Sequence, residues 1–354
     1  MAILNDQGIC QVKVIQLYNM DLFGRLPKSD LEEICIKSLG PMKELEFVNF
    51  VIVGASGFLG RWLSTYLAFM AYSGSFKGSV MLIARQPDSL SELKSICEPK
   101  TFKIIGAHQI EAEKYLHFKD ERVIVFYAAS STKSIEKPST NSYELTTNLA
   151  HRVVGSLSKR DITFVHLSSG GIYDPTARLL PKIPIKYSIQ QTSENKYIYE
   201  KIALEKWSSM AEELGILTAR NPRLFTFYGP GLDLDGPFAI SEFLRLGRSG
   251  QPILVRGRPN NLRSYLYPTD AIFQLLLQAT TETPKYIQVG SANAVSIFEV
   301  ALKIGEYFNV DVEVDSNYSR NIDNYVPSEV YVMQERNLIS GIKKWDRWLN
   351  SNSS

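Results

Sequence analysis

A chain of 354 residues with 44% hydrophobic content can bury one large core, or a core with a smaller attached lobe. Its formal net charge is +2, from 39 basic and 37 acidic residues, and no basic run stands out, which argues against nucleic-acid and anionic-membrane partners. Cys10, Cys35 and Cys97 fit neither a disulfide framework nor a metal cluster, and no stretch is long enough to span a bilayer, so a soluble cytoplasmic protein in a reducing compartment is expected.

About 46 residues form an N-terminal extension, in which Ser29-Asp-Leu-Glu32 matches a capping box and Gly40-Pro41 a helix stop, so a short helix is predicted over 30–39. Residues 47–62 then run from an apolar strand through Gly54-Ala-Ser-Gly57-Phe-Leu-Gly60 into a helix whose Leu59, Trp62, Leu63, Tyr66, Leu67 and Met70 fall at three-and-four spacing. This is the pattern of a dinucleotide-binding turn. The strand must end abruptly, the backbone must approach a pyrophosphate, and the helix must offer its unpaired N–H groups and positive dipole end. Strands are predicted over 80–84, 102–105, 123–127 and 162–167, and helices over 90–97 and 143–157. Their alternation predicts an α/β fold, a Rossmann-type doubly wound parallel sheet. Residues 174–195 lose periodicity around Pro175, Pro181 and Pro184, and a helical pattern resumes near Lys196 and runs to Leu214. After Arg220, short helices over 239–246, 271–279 and 297–308 alternate with Gly- and Pro-containing segments, and 350–354 form a polar tail. The expected organisation is an extension over 1–46, a dinucleotide-binding domain over 47–220 and a smaller C-terminal α/β substrate lobe over 221–354, some of whose segments return to the first core.

Tyr197 and Lys201 are four apart, so on a helix they share one face. Eighteen tyrosines and 22 lysines produce about one such pair by chance, and Tyr115 with Lys119 is a second example without a partner hydroxyl. The pair at 197–201 is set apart by the strand over 162–167, which ends in Ser168-Ser169-Gly170-Gly171-Ile172-Tyr173, where a hydroxyl points into the ligand crevice. A phenol with a pKa of about 10 becomes a base when positive charge stabilises its phenolate, and Lys201 and an oxidised nicotinamide both supply that charge. Tyr197 then takes a proton from a sugar hydroxyl while Ser169 hydrogen-bonds the oxygen that becomes a carbonyl. Taken singly, each residue reads as a core tyrosine, a snorkelling lysine and a serine-rich turn. His108, His117, His151 and His166 lack ligand spacing, and no metal site is assigned.

Taken together, these segments resemble the extended short-chain dehydrogenase/reductase family, in its NAD(P)-dependent nucleotide-sugar epimerase/dehydratase branch, from residue 47 to about 308. The 54–60 turn is similar to the family's cofactor turn, Tyr127-Ala-Ala-Ser130 to its fourth-strand motif, and 168–173 to its catalytic hydroxyl motif. Residues 223–230 and 263–270 resemble its substrate-crossing and diphosphate-gripping segments. The resemblance implies NAD or NADP held by Gly54, Ser56, Gly57, Phe58, Leu59, Gly60, Arg85, Tyr127, Ala128, Ala129, Tyr197 and Lys201. It implies Ser169, Tyr197 and Lys201 as catalytic residues, and Ser130, Ser169, Thr226, Phe238 and Arg263 toward a nucleotide-diphosphate sugar. It also implies a homodimer formed through the helices over 143–157 and 196–214.

Several positions depart from the family pattern. Gly170 and Gly171 stand where 4,6-dehydratases carry an acidic pair, Thr226 stands where many members carry asparagine, and Arg85 stands where an acid would bind a ribose diol. The leading expectation is a nucleotide-sugar epimerase that transiently oxidises a ring carbon. A ketoreductase using the same three residues comes next, then a 4,6-dehydratase drawing on Asp174 or Glu194, and last a non-catalytic dinucleotide sensor.

Overall fold

The computed structural model describes residues 3–4, 10–11, 26–96, 102–107, 118, 121–130, 142–157, 160–280, 283–315, 317, 320–330 and 335–352. They divide into two units, one of residues 1–167, 195–220 and 276–284, the other of 168–194, 221–275 and 285–354.

The first unit is built on a six-stranded parallel sheet. In chain order its strands are Asn49–Val53, Val80–Ala84, Phe102–Gly106, Arg122–Tyr127, Asp161–His166 and Thr218–Arg220. Across the sheet the third lies at one edge, followed by the second, first, fourth, fifth and sixth, the order of a doubly wound dinucleotide fold. Asn49–Val53 and Val80–Ala84 are buried along their whole length. Covered on both faces, they read as continuous apolar runs rather than alternating ones. Val53 pairs with Ile83 on one side and Tyr127 on the other, so the strand order reverses beside the carboxyl end of the first strand. Ligands of open α/β sheets bind at such a reversal.

The N-terminal segment differs from expectation. Helix Lys28–Lys37 starts at Pro27 with no side-chain cap, so Ser29 and Glu32 form no capping box. Gly40 and Pro41 do not stop a helix but lie near the start of a second one, Leu39–Leu45, where Pro is tolerated because the first-turn N–H groups have no intrahelical acceptor. The break falls at Ser38, whose hydroxyl returns to the Ile34 carbonyl at 2.7 Å and meets the Tyr66 phenol at 2.6 Å. Cys35 Sγ lies 3.1 Å from Met70 Sδ. These contacts seat the extension on helix Phe58–Tyr72, which explains why Trp62, Leu63, Ser64, Thr65 and Tyr66 are all buried although they point in different directions around the helix. Burial pushes the Cys35 thiol up to about 12.

Among its described residues the second unit has three small sheets. One joins Gln288–Val289, Arg223–Leu224 and Ser168–Ser169, and another joins Thr226–Phe227, Leu262–Leu266 and Ala294–Ser296. Ile253–Val255 pairs with Val312–Val314. Helix Ile297–Phe308 has the predicted bounds, opened by a capping box between Ser296 and Glu299 and closed by Asn309 at φ 56°. Residues 350–351, read from the sequence as part of a polar tail, belong instead to helix Leu338–Ser351, whose Ile342 and Trp345 are fully buried in the core with Tyr228, Phe243 and Ile304.

Candidate active site

In the first unit the glycine turn is shaped by its backbone. Gly54 has φ +84°, and a Cβ there would lie 2.6 Å from the Ala129 nitrogen and 2.8 Å from the Ala128 carbonyl carbon. The turn and the end of the fourth strand therefore touch, and only glycine permits it. Gly57 N–H donates to the Gly54 carbonyl at 3.0 Å, and a Cβ on Gly60 would strike that same carbonyl oxygen. Helix Phe58–Tyr72 opens at Gly57 with no side-chain cap and no acid in its first turn. An uncapped N-terminus at the sheet's reversal point, reached by a backbone without Cβ atoms, fits a dinucleotide pyrophosphate.

Around this turn, Ser56 and Phe58 are half-buried, Leu59 is buried, and Ala128, Ala129 and Ser130 are half-buried at the end of the fourth strand. Tyr127 turns its ring into the core against Phe164 at 5.7 Å, and burial, with a smaller contribution from Glu200, pushes its phenol well up. Its contribution at the crevice is therefore its backbone. Arg85 is exposed just past the second strand and makes no hydrogen bond or ion pair among the described residues.

Helix Lys196–Glu213 is opened by Asn195, whose side chain accepts from Ile198 N–H at 3.3 Å. In its first two turns, the half-buried Tyr197 and the buried Lys201 share a face, with Nζ 5.6 Å from the Tyr197 ring centroid. Nζ donates to the Leu167 carbonyl at 2.6 Å. Burial lowers the Lys201 pKa from 10.5 to about 8, against the opposing pull of Glu200 and Glu205. The ammonium is still protonated at neutral pH and is poorly solvated, so its field on a neighbouring phenol is strong. The other Tyr/Lys spacing, at 115 and 119, lies outside the described residues, as do His108, His117 and Cys97. Among the described residues no group of three or more His, Cys, Asp or Glu is placed to hold a metal ion, and no helix is long and apolar enough to cross a membrane.

In the second unit Ser169, two residues past the Lys201 anchor at Leu167, is buried in the strand Ser168–Ser169. Its Oγ accepts from Gly171 N–H at 3.1 Å and meets the Tyr325 hydroxyl at 3.0 Å, and that hydroxyl donates to the Leu224 carbonyl at 3.0 Å. Gly170 packs against the Phe225 ring, where an added Cβ would lie 2.8–3.0 Å from three ring atoms. Asp174 accepts from both Thr176 N–H and Thr176 Oγ1, and these bonds lower its pKa. Thr226 is half-buried opposite Tyr265, and Phe238 is exposed at the start of helix Ala239–Arg248.

Arg263 Nη1 donates to the Leu262 carbonyl at 2.9 Å and to the Asp323 carbonyl, while Nη2 lies 3.4 Å from Asp323 Oδ2. Arg178 and Arg258 reach the same carboxylate at 3.0 Å each. Burial pulls the Arg263 pKa down and Asp323 opposes it, so the guanidinium stays charged. Three guanidiniums around one carboxylate leave a positive excess. Near them in the chain, Asn260, Asn261, Arg320, Asn321, Ile322 and Asn324 line a cavity of about 260 Å³.

Sequence reading missed Phe225, Asp323 and Tyr325. Asp323 and Tyr325 lie in an aperiodic stretch, and the long-range pairing of Tyr325 with Arg263 in strand Leu262–Leu266 helps to bring them to this site. Phe225 sits inside a segment already singled out, but its value lies in what it excludes at Gly170.

The chain matches the model of the NAD dependent epimerase/dehydratase family over residues 50–290. It belongs to that family, which is NAD-dependent. A trifunctional UDP-glucose 4,6-dehydratase/UDP-4-keto-6-deoxy-D-glucose 3,5-epimerase/UDP-4-keto-L-rhamnose-reductase of Arabidopsis thaliana is 23% identical over 336 residues, covering 86% of this chain and 47% of the relative. The chain thus spans about half the length of this relative and of a second Arabidopsis thaliana protein of the same description. The fold is similar to that of a UDP-glucose 4-epimerase from Thermotoga maritima solved with UDP-glucose, at TM-score 0.71 and 16% identity over 87% of this chain and 100% of that one. It is also similar to a UDP-glucuronic acid 4-epimerase from Bacillus cereus solved with UDP-glucuronic acid and NAD, at TM-score 0.68 and 14% identity over 86% and 100%.

Proposed function

We propose that this protein is a nucleotide-sugar epimerase that oxidises a ring carbon transiently and returns the hydride to the opposite face. The observation that carries this reading over dehydration is the Phe225 ring against Gly170, which fills the space where a dehydratase would need an acidic side chain. Asp174 does not replace that acid, because its bonds to Thr176 favour the carboxylate over the proton-donating form.

NAD, when bound, supplies the hydride acceptor and donor. Gly54, Gly57 and Gly60 let the turn close on its pyrophosphate, and the first N–H groups of helix Phe58–Tyr72 hold the charge. Tyr197 takes the proton from the sugar hydroxyl and later returns it. Lys201 keeps a poorly solvated positive charge beside that phenol. Ser169 donates a hydrogen bond to the oxygen as it gains carbonyl character. Arg263 grips the diphosphate, with Ser130, Thr226 and Phe238 on the sugar-nucleotide side. Family membership and the UDP-sugars in the names of the relatives support this substrate class. Exposed Met210, Leu214 and Ile216, at and just past the end of helix Lys196–Glu213, which packs beside Ser142–Ser156, support a homodimer through this pair of helices, and light scattering should give twice the chain mass.

One observation favours a second reading, 4-ketoreduction with NADPH: exposed Arg85 could pair with a ribose 2'-phosphate. The test is stopped-flow absorbance of the bound cofactor at the reduced-nicotinamide band after mixing with UDP-glucose, UDP-galactose or UDP-glucuronic acid. Transient reduction without added cofactor is expected, slowed on the order of 10²-fold or more in Tyr197→Phe at unchanged cofactor content. An unslowed Tyr197→Phe would remove the assigned base.

A further inference from the structure

The hydroxyl of Tyr325 has one hydrogen, and the Leu224 carbonyl, 3.0 Å away, can only accept it, whereas Ser169 Oγ can donate as well as accept. The hydrogen between Tyr325 and Ser169, whose oxygens are 3.0 Å apart, is then supplied by Ser169. Ser169 Oγ also accepts from Gly171 N–H at 3.1 Å. In this arrangement the Ser169 proton is already committed, to a phenol rather than to a substrate. The Tyr325 ring is held in place by the Phe225 ring at 4.7 Å and by Arg178 at 5.1 Å, and Leu224 is the register partner of Ser169, so serine, phenol and carbonyl form one short chain on adjacent strands.

We propose that Tyr325 is a positioning residue for Ser169, with a hydroxyl that turns from the Leu224 carbonyl onto Ser169 Oγ when a substrate oxygen takes the serine proton. This rests on the catalytic role proposed for Ser169. No covalent bond changes: one phenol O–H rotates, and the serine O–H it releases points to the substrate. In the turned state Ser169 accepts from both Gly171 N–H and Tyr325 O–H, which fills both of its lone pairs. A hydroxyl that accepts two hydrogen bonds is a stronger donor through its own, because each bond polarises the next. Tyr325 thus keeps Ser169 satisfied before substrate arrives and strengthens it afterwards.

Tyr325→Phe keeps the ring and its packing and removes only the hydroxyl. With whichever of UDP-glucose, UDP-galactose and UDP-glucuronic acid the wild type converts fastest, kcat should fall about tenfold, as expected for one lost hydrogen bond, with KM within about twofold. Ser169→Ala should cost on the order of 10²-fold, and adding Tyr325→Phe to it should cost nothing further. An equal loss from Tyr325→Phe in both backgrounds would mean that the phenol only supports the fold, and wild-type kcat in Tyr325→Phe would overturn the proposal outright. Wild-type turnover in Ser169→Ala is a different failure, since it removes the role of the serine and the role of Tyr325 with it.

Discussion

Lys201→Met should stabilise the protein near neutral pH while abolishing turnover. Burial lowers the Lys201 pKa from 10.5 to about 8, which means that the folded state binds this proton less tightly than the unfolded chain does. The difference corresponds to about 3 kcal/mol. Below about pH 8 both states are protonated and the full penalty applies. Between about pH 8 and 10.5 the unfolded chain holds a proton that the folded protein has released, so stability rises with pH through that window. Methionine removes the charge, keeps much of the volume, and loses the hydrogen bond to Leu167, a loss of about 1 kcal/mol. The net gain at pH 7 is about 2 kcal/mol. With an unfolding entropy of about 2.1 cal/mol/K per residue over 354 residues, that is a rise of about 3 °C in Tm. Thermal melts of both proteins from pH 7 to 10.5, read as the difference between them, cancel the titration of every other group. The variant should melt higher at pH 7 and lose that advantage by pH 10.5. A difference that does not change with pH would refute the claim that this ammonium is charged and desolvated in the fold.

Other substitutions test other parts of the site. Gly54→Ala forces a Cβ within 2.6 Å of the Ala129 backbone at a φ of +84°, and should cost about 2–4 kcal/mol and leave the protein without bound dinucleotide by absorbance and mass spectrometry. Gly170→Ala meets a side chain rather than backbone, so the Phe225 ring should shift, lowering Tm by only about 1–2 °C while reducing kcat through the neighbouring Ser169. Cys35, buried and with its thiol pKa pushed up to about 12, should resist iodoacetamide in the native protein and react only after denaturation, as read by peptide mass mapping. Arg263→Ala should weaken UDP binding by about tenfold in isothermal titration, and unchanged binding would remove Arg263 from the diphosphate site.

Much of the first unit was legible because its signals are local. The strands over 80–84 and 123–127 announce themselves as apolar runs, and the Gly54 turn needs residues without a Cβ for reasons that hold wherever it occurs. The N-terminal helices were misread at their ends for an equally local reason: Ser29 and Glu32 have the spacing of a capping box, but the helix begins two residues too early to use it. Lys201 was legible as a charge near Tyr197, but its burial and its bond to Leu167 depend on how helix Lys196–Glu213 packs in the first unit. In the second unit, helix Leu338–Ser351 was hidden by a polar tail, although Trp345 is wholly buried. Tyr325 and Asp323 carried no periodic signal, because their positions come from a pairing with Arg263 some 60 residues away in the chain. Long-range pairing of an irregular segment leaves little trace in local spacing.

The most direct test of the central claim is liquid chromatography with mass spectrometry of UDP-glucose, UDP-galactose and UDP-glucuronic acid after incubation with the purified protein and no added cofactor. Transient oxidation with return of the hydride predicts a product of unchanged mass and altered retention from at least one of them. A product lighter by one water would contradict it, as would no product from these three while UDP-4-keto-6-deoxy-D-glucose, supplied with reduced cofactor, gains two hydrogens.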